Sequence, residues 1–369
     1  MSAERIGYAS ILARAAISLF EEKRRIMEYR LLGASGLEVS VLSMGTMTMG
    51  GEGRFAAMGN VQVEEARRQI EICIEAGVNV FDTADIYSFG KSEEVLGQAL
   101  GARRKDIVLA TKGYNRLGPG TNRAGTSRKH LIEACEDSLR RLGTDYIDLY
   151  QVHTFDSMTP PDETLRTFDD LIRSGKVLYA GCSNFGGWQL MKSLAISDRL
   201  GIPRYISQQI NYSLLARDAE NDLVGVGLDQ KVGIMVWSPL QFGLLSGKFR
   251  RGQAKPAESR LNSVDAPGTI DQERLHRIVD ALDAIAKERG VSVSQVALNW
   301  VTRKPGVDTV IIGARNEQQL RDNLAAATWT LSEADVVRLD EVSALPLPYP
   351  YWHQQKFAGE RNPPAKHVR

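Results

Sequence analysis

Four side chains able to move or hold a proton stand at the ends of three short apolar runs. Val78, Val80 and Phe81 lead into Asp82, with Tyr87 a few residues on. Ile107 to Thr111 leads into Lys112, and Tyr146 to Val152 leads into His153. A phenol is a weak acid, with an ordinary pKa of about 10. A nearby ammonium stabilises its phenolate, a carboxylate holds that ammonium in place, and an imidazole can orient a substrate oxygen. Brought together, Asp82, Tyr87, Lys112 and His153 would deliver a proton to a reacting oxygen. Taken singly each has a plainer reading: Asp82 can cap the next turn, and Tyr87 can pack with its hydroxyl in water.

Convergence requires the three runs to be neighbouring strands whose carboxyl ends open on one face, where α/β proteins bind ligands. The rest of the chain supplies that frame. Tyr29 to Ser40, around Gly33-Ala34-Ser35-Gly36, reads as a β-hairpin. Strands follow at 41–45, 78–81, 107–111, 146–152, 177–182, 205–209, 232–236 and 308–312. Helices separate them at 63–76, 92–100, 127–142, 162–174, 188–200, from Asp218 to the strand at 232, at 271–288 and 293–302, with a last at 317–327. Repeated strand–helix units without a separate block of strands make a parallel sheet. Eight such strands fit one α/β domain, a closed (β/α)8 TIM barrel with extra helices and long loops at its catalytic face. No Gly-x-Gly-x-x-Gly follows a strand, so a Rossmann domain has no support.

Residues 1–26 lie outside this pattern. Their apolar run from Ile11 to Phe20 is interrupted by Arg14 and is too short to span a bilayer, so they read as a dispensable extension. The barrel then occupies 27–343, and 344–369 form a Pro- and aromatic-rich loop or tail that contributes to the substrate pocket. Long loops at 113–126 and 241–269 are also expected to be functional. The charge is nearly balanced, 46 Lys+Arg against 45 Asp+Glu, which gives no case for nucleic acid or an anionic membrane as partner. Three scattered cysteines fit a reducing, cytoplasmic setting, and five histidines without a paired helical motif give no metal site.

The order Asp82-Thr83-Ala84 with Tyr87, then Lys112, then His153 resembles the catalytic tetrad of the aldo-keto reductases. The likeness continues through Gly181-Cys182-Ser183-Asn184-Phe185, Gln209-Ile210-Asn211-Tyr212, Trp237-Ser238-Pro239-Leu240 and Ile312-Gly313-Ala314-Arg315-Asn316, and covers Tyr29 to Trp352 in the family's order. The resemblance implies reduction of an aldehyde or ketone, with hydride from NADPH and the proton from Tyr87, whose pKa Lys112 lowers. It places the cofactor against Gly45, Thr46, Met47, Ser183, Asn184, Gln209, Trp237, Ser238, Pro239, Leu240, Gly313, Gln319, Asp322 and Asn323. The start of the helix after Gly313 offers free backbone N–H groups to an anion. Arg315 suits a 2′-phosphate, which favours NADPH over NADH, and Lys248 and Arg260 suit the other phosphates.

The substrate is expected to be a small carbonyl or alcohol bearing an aryl, polyketide or terpenoid-like group, against Met47, Phe55, Phe89, Phe155 and Trp352. Whether the protein is a monomer or a homo-oligomer is open at this level. The rival of another class is a regulatory NADPH binder similar to the potassium-channel β-subunits, which share the fold and tetrad. A metal- or Schiff-base-dependent lyase is a poorer fit: no ligand cluster exists, and Lys112 beside a carboxylate stays charged.

Overall fold

Eight parallel strands close on themselves, as the repeating units predicted. The computed structural model describes residues 27–253 and 271–361. The barrel strands are β3 (Leu42–Gly45), β4 (Val80–Asp82), β5 (Val108–Gly113), β6 (Ile147–Val152), β7 (Val177–Ser183), β8 (Ser207–Asn211), β9 (Gly233–Trp237) and β10 (Val307–Ile312). They run in chain order around the barrel, and β10 returns to pair with β3. Every residue of β5 and β6 is buried, as expected of strands covered on both faces.

The hairpin β1 (Tyr29–Leu31) and β2 (Glu38–Ser40) is antiparallel and closes the end opposite the candidate site. Gly33, with φ +56°, sits at its tip, where an added Cβ would fall 2.5 Å from the Ile206 carbonyl oxygen and 2.6 Å from the Gly233 nitrogen. Only glycine fits this close approach. The Gly33 N–H donates to Asp308 at 2.9 Å, and Arg30 donates to the Val307 carbonyl at 2.5 Å, so the hairpin is tied to β10 above it.

The outer layer comprises α1 (Val63–Glu75), α2 (Lys91–Leu100), α3 (Arg128–Leu142), α4 (Pro161–Arg173), α5 (Gly187–Leu200), α6 (Leu223–Gln230), α7 (Gln272–Arg289), α8 (Val293–Thr302) and α9 (Glu317–Leu324). Their ends follow local chemistry. Ser127, Asp271, Ser292 and Asn316 each cap a helix start with a side-chain oxygen, and Gly143, Gly201 and Gly290 end helices in the left-handed region.

Two expectations are corrected, and one helix changes type along its length. The helix from Asp218 is a short turn at Asp218–Asn221 followed by α6, because Asp222 leaves helical backbone and its carboxylate accepts from the Gly187 N–H at 2.8 Å. The helix over 317–327 runs as α9 to Leu324 and tightens into a 3-10 turn over Ala325–Ala327, beside which the Asn299 amide donates to the Ala326 carbonyl at 3.0 Å and the Trp329 carbonyl at 2.6 Å. The chain from 328 on is also more helical than expected, with α10 (Glu333–Ser343) and α11 (Tyr351–Arg361). Ser332 and Asp335 form a capping box that starts α10. Pro348 and Pro350 lie ahead of α11, and their carbonyls accept from Tyr351 and Gln354 at 2.9 Å each. Proline here opens a helix rather than excluding one.

Candidate active site

β4 ends in Asp82, and the turn beyond it carries Tyr87. Lys112 lies near the end of β5, and His153 directly follows β6. Strand register sets the levels: Asp82 is opposite Ala110, Lys112 opposite Gln151, and Ser183 opposite Gln209. Alternate residues of a strand point to opposite faces, so Lys112 and Gln151 point into the barrel while Thr111 and Tyr150 meet the helices.

The four expected residues converge. Lys112 Nζ donates to Asp82 Oδ1 at 2.6 Å and to the Thr83 carbonyl at 2.8 Å, and lies 3.4 Å from the Tyr87 hydroxyl. The other Asp82 oxygen accepts from Gln209 Nε2 at 2.9 Å and from Gln151 Nε2 at 3.3 Å. The Tyr87 and His153 rings meet edge-on, with centroids 5.9 Å apart.

Burial disfavours charge on Lys112, but the Asp82 carboxylate and the Tyr87 oxygen outweigh it and hold the ammonium's pKa above its ordinary value. At Tyr87 the balance falls the other way. Burial pushes the phenol up, and Lys112 opposes this without overcoming it. Lys112 does pull the phenol down, as expected, but an enclosed phenolate loses more hydration than one ammonium returns. Tyr87 therefore keeps its proton at neutral pH. His153 is lowered to about 3 by burial, with the Lys112 charge adding to the effect, so its ring is neutral.

A cleft of about 1000 Å³ opens at this end of the barrel, and Asp82, Tyr87 and His153 are part of its wall. Gly45, Thr46, Met47, Ser183, Asn184, Gln209, Trp237, Ser238, Pro239, Leu240, Lys248, Gly313, Arg315, Gln319, Asp322 and Asn323 all line it. Arg260 lies outside the described residues. Lys248 and Arg315 stand on the cleft wall and form no ion pair among the described residues. Asp322 is held by Ser292 Oγ at 2.8 Å and Gln295 Nε2 at 2.7 Å. Asn184 does not cap a helix. It adopts φ 56°, accepts from Trp237 Nε1 at 3.1 Å, and donates to the His153 carbonyl at 3.0 Å. Ser238 and Phe242, at φ 54° and 57°, share this sparsely populated conformation on the cleft wall.

The expected substrate residues divide. Met47 lines the cleft, joined by Met58, Phe242 and Phe249. Phe55 packs on Tyr87 with centroids 5.9 Å apart, and the half-exposed Phe89 leans on Phe55. Phe155 packs with Phe185 and Trp188, while Trp352 on α11 packs with Tyr349 and is partly exposed. Two further residues touch the tetrad. Gln151 is a polar residue three positions after Asp148 in the short strand β6, so the sequence alone does not single it out. Asn115, whose Nδ2 lies 3.0 Å from His153 Nδ1, sits in a polar loop and carries no signal either.

Known proteins resemble this chain along most of their length. The sequence profile of the Aldo/keto reductase family matches residues 41–344. A probable voltage-gated potassium channel subunit beta of Arabidopsis thaliana is 37% identical over 81% of this chain and 91% of its own. An uncharacterised oxidoreductase of Bacillus subtilis is 36% identical over 86% of this chain and 96% of its own. A versiconal hemiacetal acetate reductase of Aspergillus parasiticus is 33% identical over 91% of this chain and all of its own. A barrel of this connectivity, matched by the profile from its first strand to beyond its last and by such relatives nearly end to end, identifies the chain as a member of the aldo/keto reductase family.

Proposed function

We propose that this protein reduces an aldehyde or ketone to the alcohol, with NADPH as hydride donor. One observation carries the reading: the Tyr87 hydroxyl stands 3.4 Å from the buried Lys112 ammonium, on the wall of a cleft of about 1000 Å³. The residues present suit the cofactor. Lys248 and Arg315 are unpaired among the described residues, as a phosphate-bearing ligand requires, and Ser183, Asn184 and Trp237 stand near the catalytic end. When bound, the cofactor supplies the hydride that adds to the carbonyl carbon.

The chain's own residues supply the rest. Tyr87 donates its proton to the carbonyl oxygen, so that no free alkoxide forms. Lys112 faces the phenolate that remains, and its charge, fixed by Asp82, stabilises that oxygen. Gln151 and Gln209 hold the far side of Asp82 and keep the carboxylate aimed at Lys112. His153, neutral, hydrogen-bonds the substrate oxygen. Met47, Met58 and Trp237 favour an uncharged substrate with an aryl or other apolar body. The three free cysteines are in keeping with a cytoplasmic setting.

A second reading, an NADPH-binding regulatory subunit, is supported by the potassium-channel relative. Single-turnover oxidation of NADPH over a panel of aldehydes and ketones separates the two. Tyr87→Phe keeps the ring, so NADPH binding should survive while the chemical step slows by roughly 10²–10⁴-fold. Turnover within a few-fold of the parent protein would remove Tyr87 from the role of acid.

A further inference from the structure

A neutral imidazole has one donor and one acceptor nitrogen, and the partner of one decides the state of the other. Strand pairing places such a partner beside His153. The His153 N–H donates to the Gly113 carbonyl at 3.1 Å, and Asn115 follows two residues later on the same loop. Asn115 Nδ2 thereby reaches His153 Nδ1 at 3.0 Å. With its NH2 turned toward the ring the amide donates, so Nδ1 accepts and is unprotonated, and the ring proton is on Nε2. The backbone of His153 is held separately, by the Asn184 amide on its carbonyl at 3.0 Å. The charged and titratable groups facing the ring are the Lys112 ammonium and the Tyr87 phenol.

We propose that Asn115 is a positioning residue that holds His153 as its Nε2–H tautomer, giving the bound carbonyl oxygen a second donor beside the Tyr87 hydroxyl. The inference rests on the carbonyl-reductase reading above. It also explains what an amide does here that a carboxylate cannot. A carboxylate at 115 would accept from Nδ1–H, move the ring proton away from the cleft, and favour the imidazolium.

The test combines a spectroscopic and a kinetic reading on the full chain. Two-bond ¹H–¹⁵N correlation spectra of protein labelled at histidine report which ring nitrogen is protonated, and His153→Gln assigns the signal by its loss. The parent protein should show His153 protonated at Nε2 alone at neutral pH. Asn115→Leu, which removes the donor at similar size, should give a mixed tautomer and a kcat lower by roughly two- to tenfold, the worth of a neutral hydrogen bond, with unchanged NADPH affinity. Asn115→Asp should move the proton to Nδ1 and depress kcat at neutral pH. Its activity should recover toward acid, where the imidazolium regains the Nε2–H.

A parent His153 protonated at Nδ1 would overturn the proposal, as would an Asn115→Leu protein with unchanged tautomer and kcat. The tautomer is read without turnover. It therefore decides the positioning even if no carbonyl is reduced, an outcome that would sink the functional reading instead.

Discussion

His153 is a residue whose burial and chemistry make the same demand. Its ring must be neutral to serve as a directed donor, and enclosure beside Lys112 lowers its pKa to about 3. An unfolded histidine titrates near 6.5. Between those values the unfolded chain binds a proton that the folded chain refuses, so stability is fully present above about pH 6.5 and is lost as pH falls toward 3. His130, also lowered by burial, contributes in the same direction. His153→Gln should therefore flatten the fall of Tm between about pH 6.5 and 4, measured by thermal unfolding across pH. An unaltered acid slope would mean that the ring is not held neutral in the folded protein.

Among elements, α10 shows how a segment outside the strand–helix repeat is fixed. Trp300 of α8 is fully buried and donates from Nε1 to Asp340 Oδ1 at 2.9 Å, and the buried Lys304 ammonium pairs with the same carboxylate and lies 4.1 Å from the Trp300 ring centre. Arg217 donates to the Asp340 carbonyl at 2.8 Å and to Ser343 Oγ at 2.9 Å, and Arg274 donates to the Ser343 carbonyl at 2.7 Å. Asp340→Ala strands both the indole N–H and the ammonium, and should cost roughly 1–3 kcal/mol in denaturant unfolding. Lys304→Met removes the ammonium along with its need for a partner and fills the same space, so it should be much milder. Equal losses from the two variants would show that the carboxylate is not what joins these elements.

For the whole molecule, the cleft is what links distant parts of the chain. Its wall draws on the ends of β3, β4, β7, β8, β9 and β10 and on α9, so a ligand filling it would bridge residues from Gly45 to Asn323. Binding to the folded state alone stabilises by mass action, about 2.7 kcal/mol at a hundred times the dissociation constant. NADPH should accordingly raise Tm more than NADH does. Arg315→Ala should weaken NADPH binding roughly ten- to a hundredfold, the worth of a charged hydrogen bond, and leave NADH nearly unaffected. Equal losses for both would mean that Arg315 does not meet a 2′-phosphate.

The barrel, its strand order and the tetrad were legible in the sequence because each rests on local pattern. Apolar runs of strand length alternate with helical periodicity, and Asp82, Lys112 and His153 stand where such runs end. What the sequence left undecided depends on residues far apart in the chain. The net shift at Tyr87 is a difference between burial by the whole site and one ammonium. The Gln209–Asp82 contact joins residues that only barrel closure brings together. Asn115 meets the His153 ring only because β5 and β6 pair in one register. Phe55 turned out to pack on Tyr87 and Phe89 on Phe55, and Phe155 and Trp352 away from the cleft wall, because loop paths rather than residue types choose what an aromatic side chain covers. Periodicity is written into each segment, whereas closure, register and the dielectric around a buried group exist only once the segments have come together.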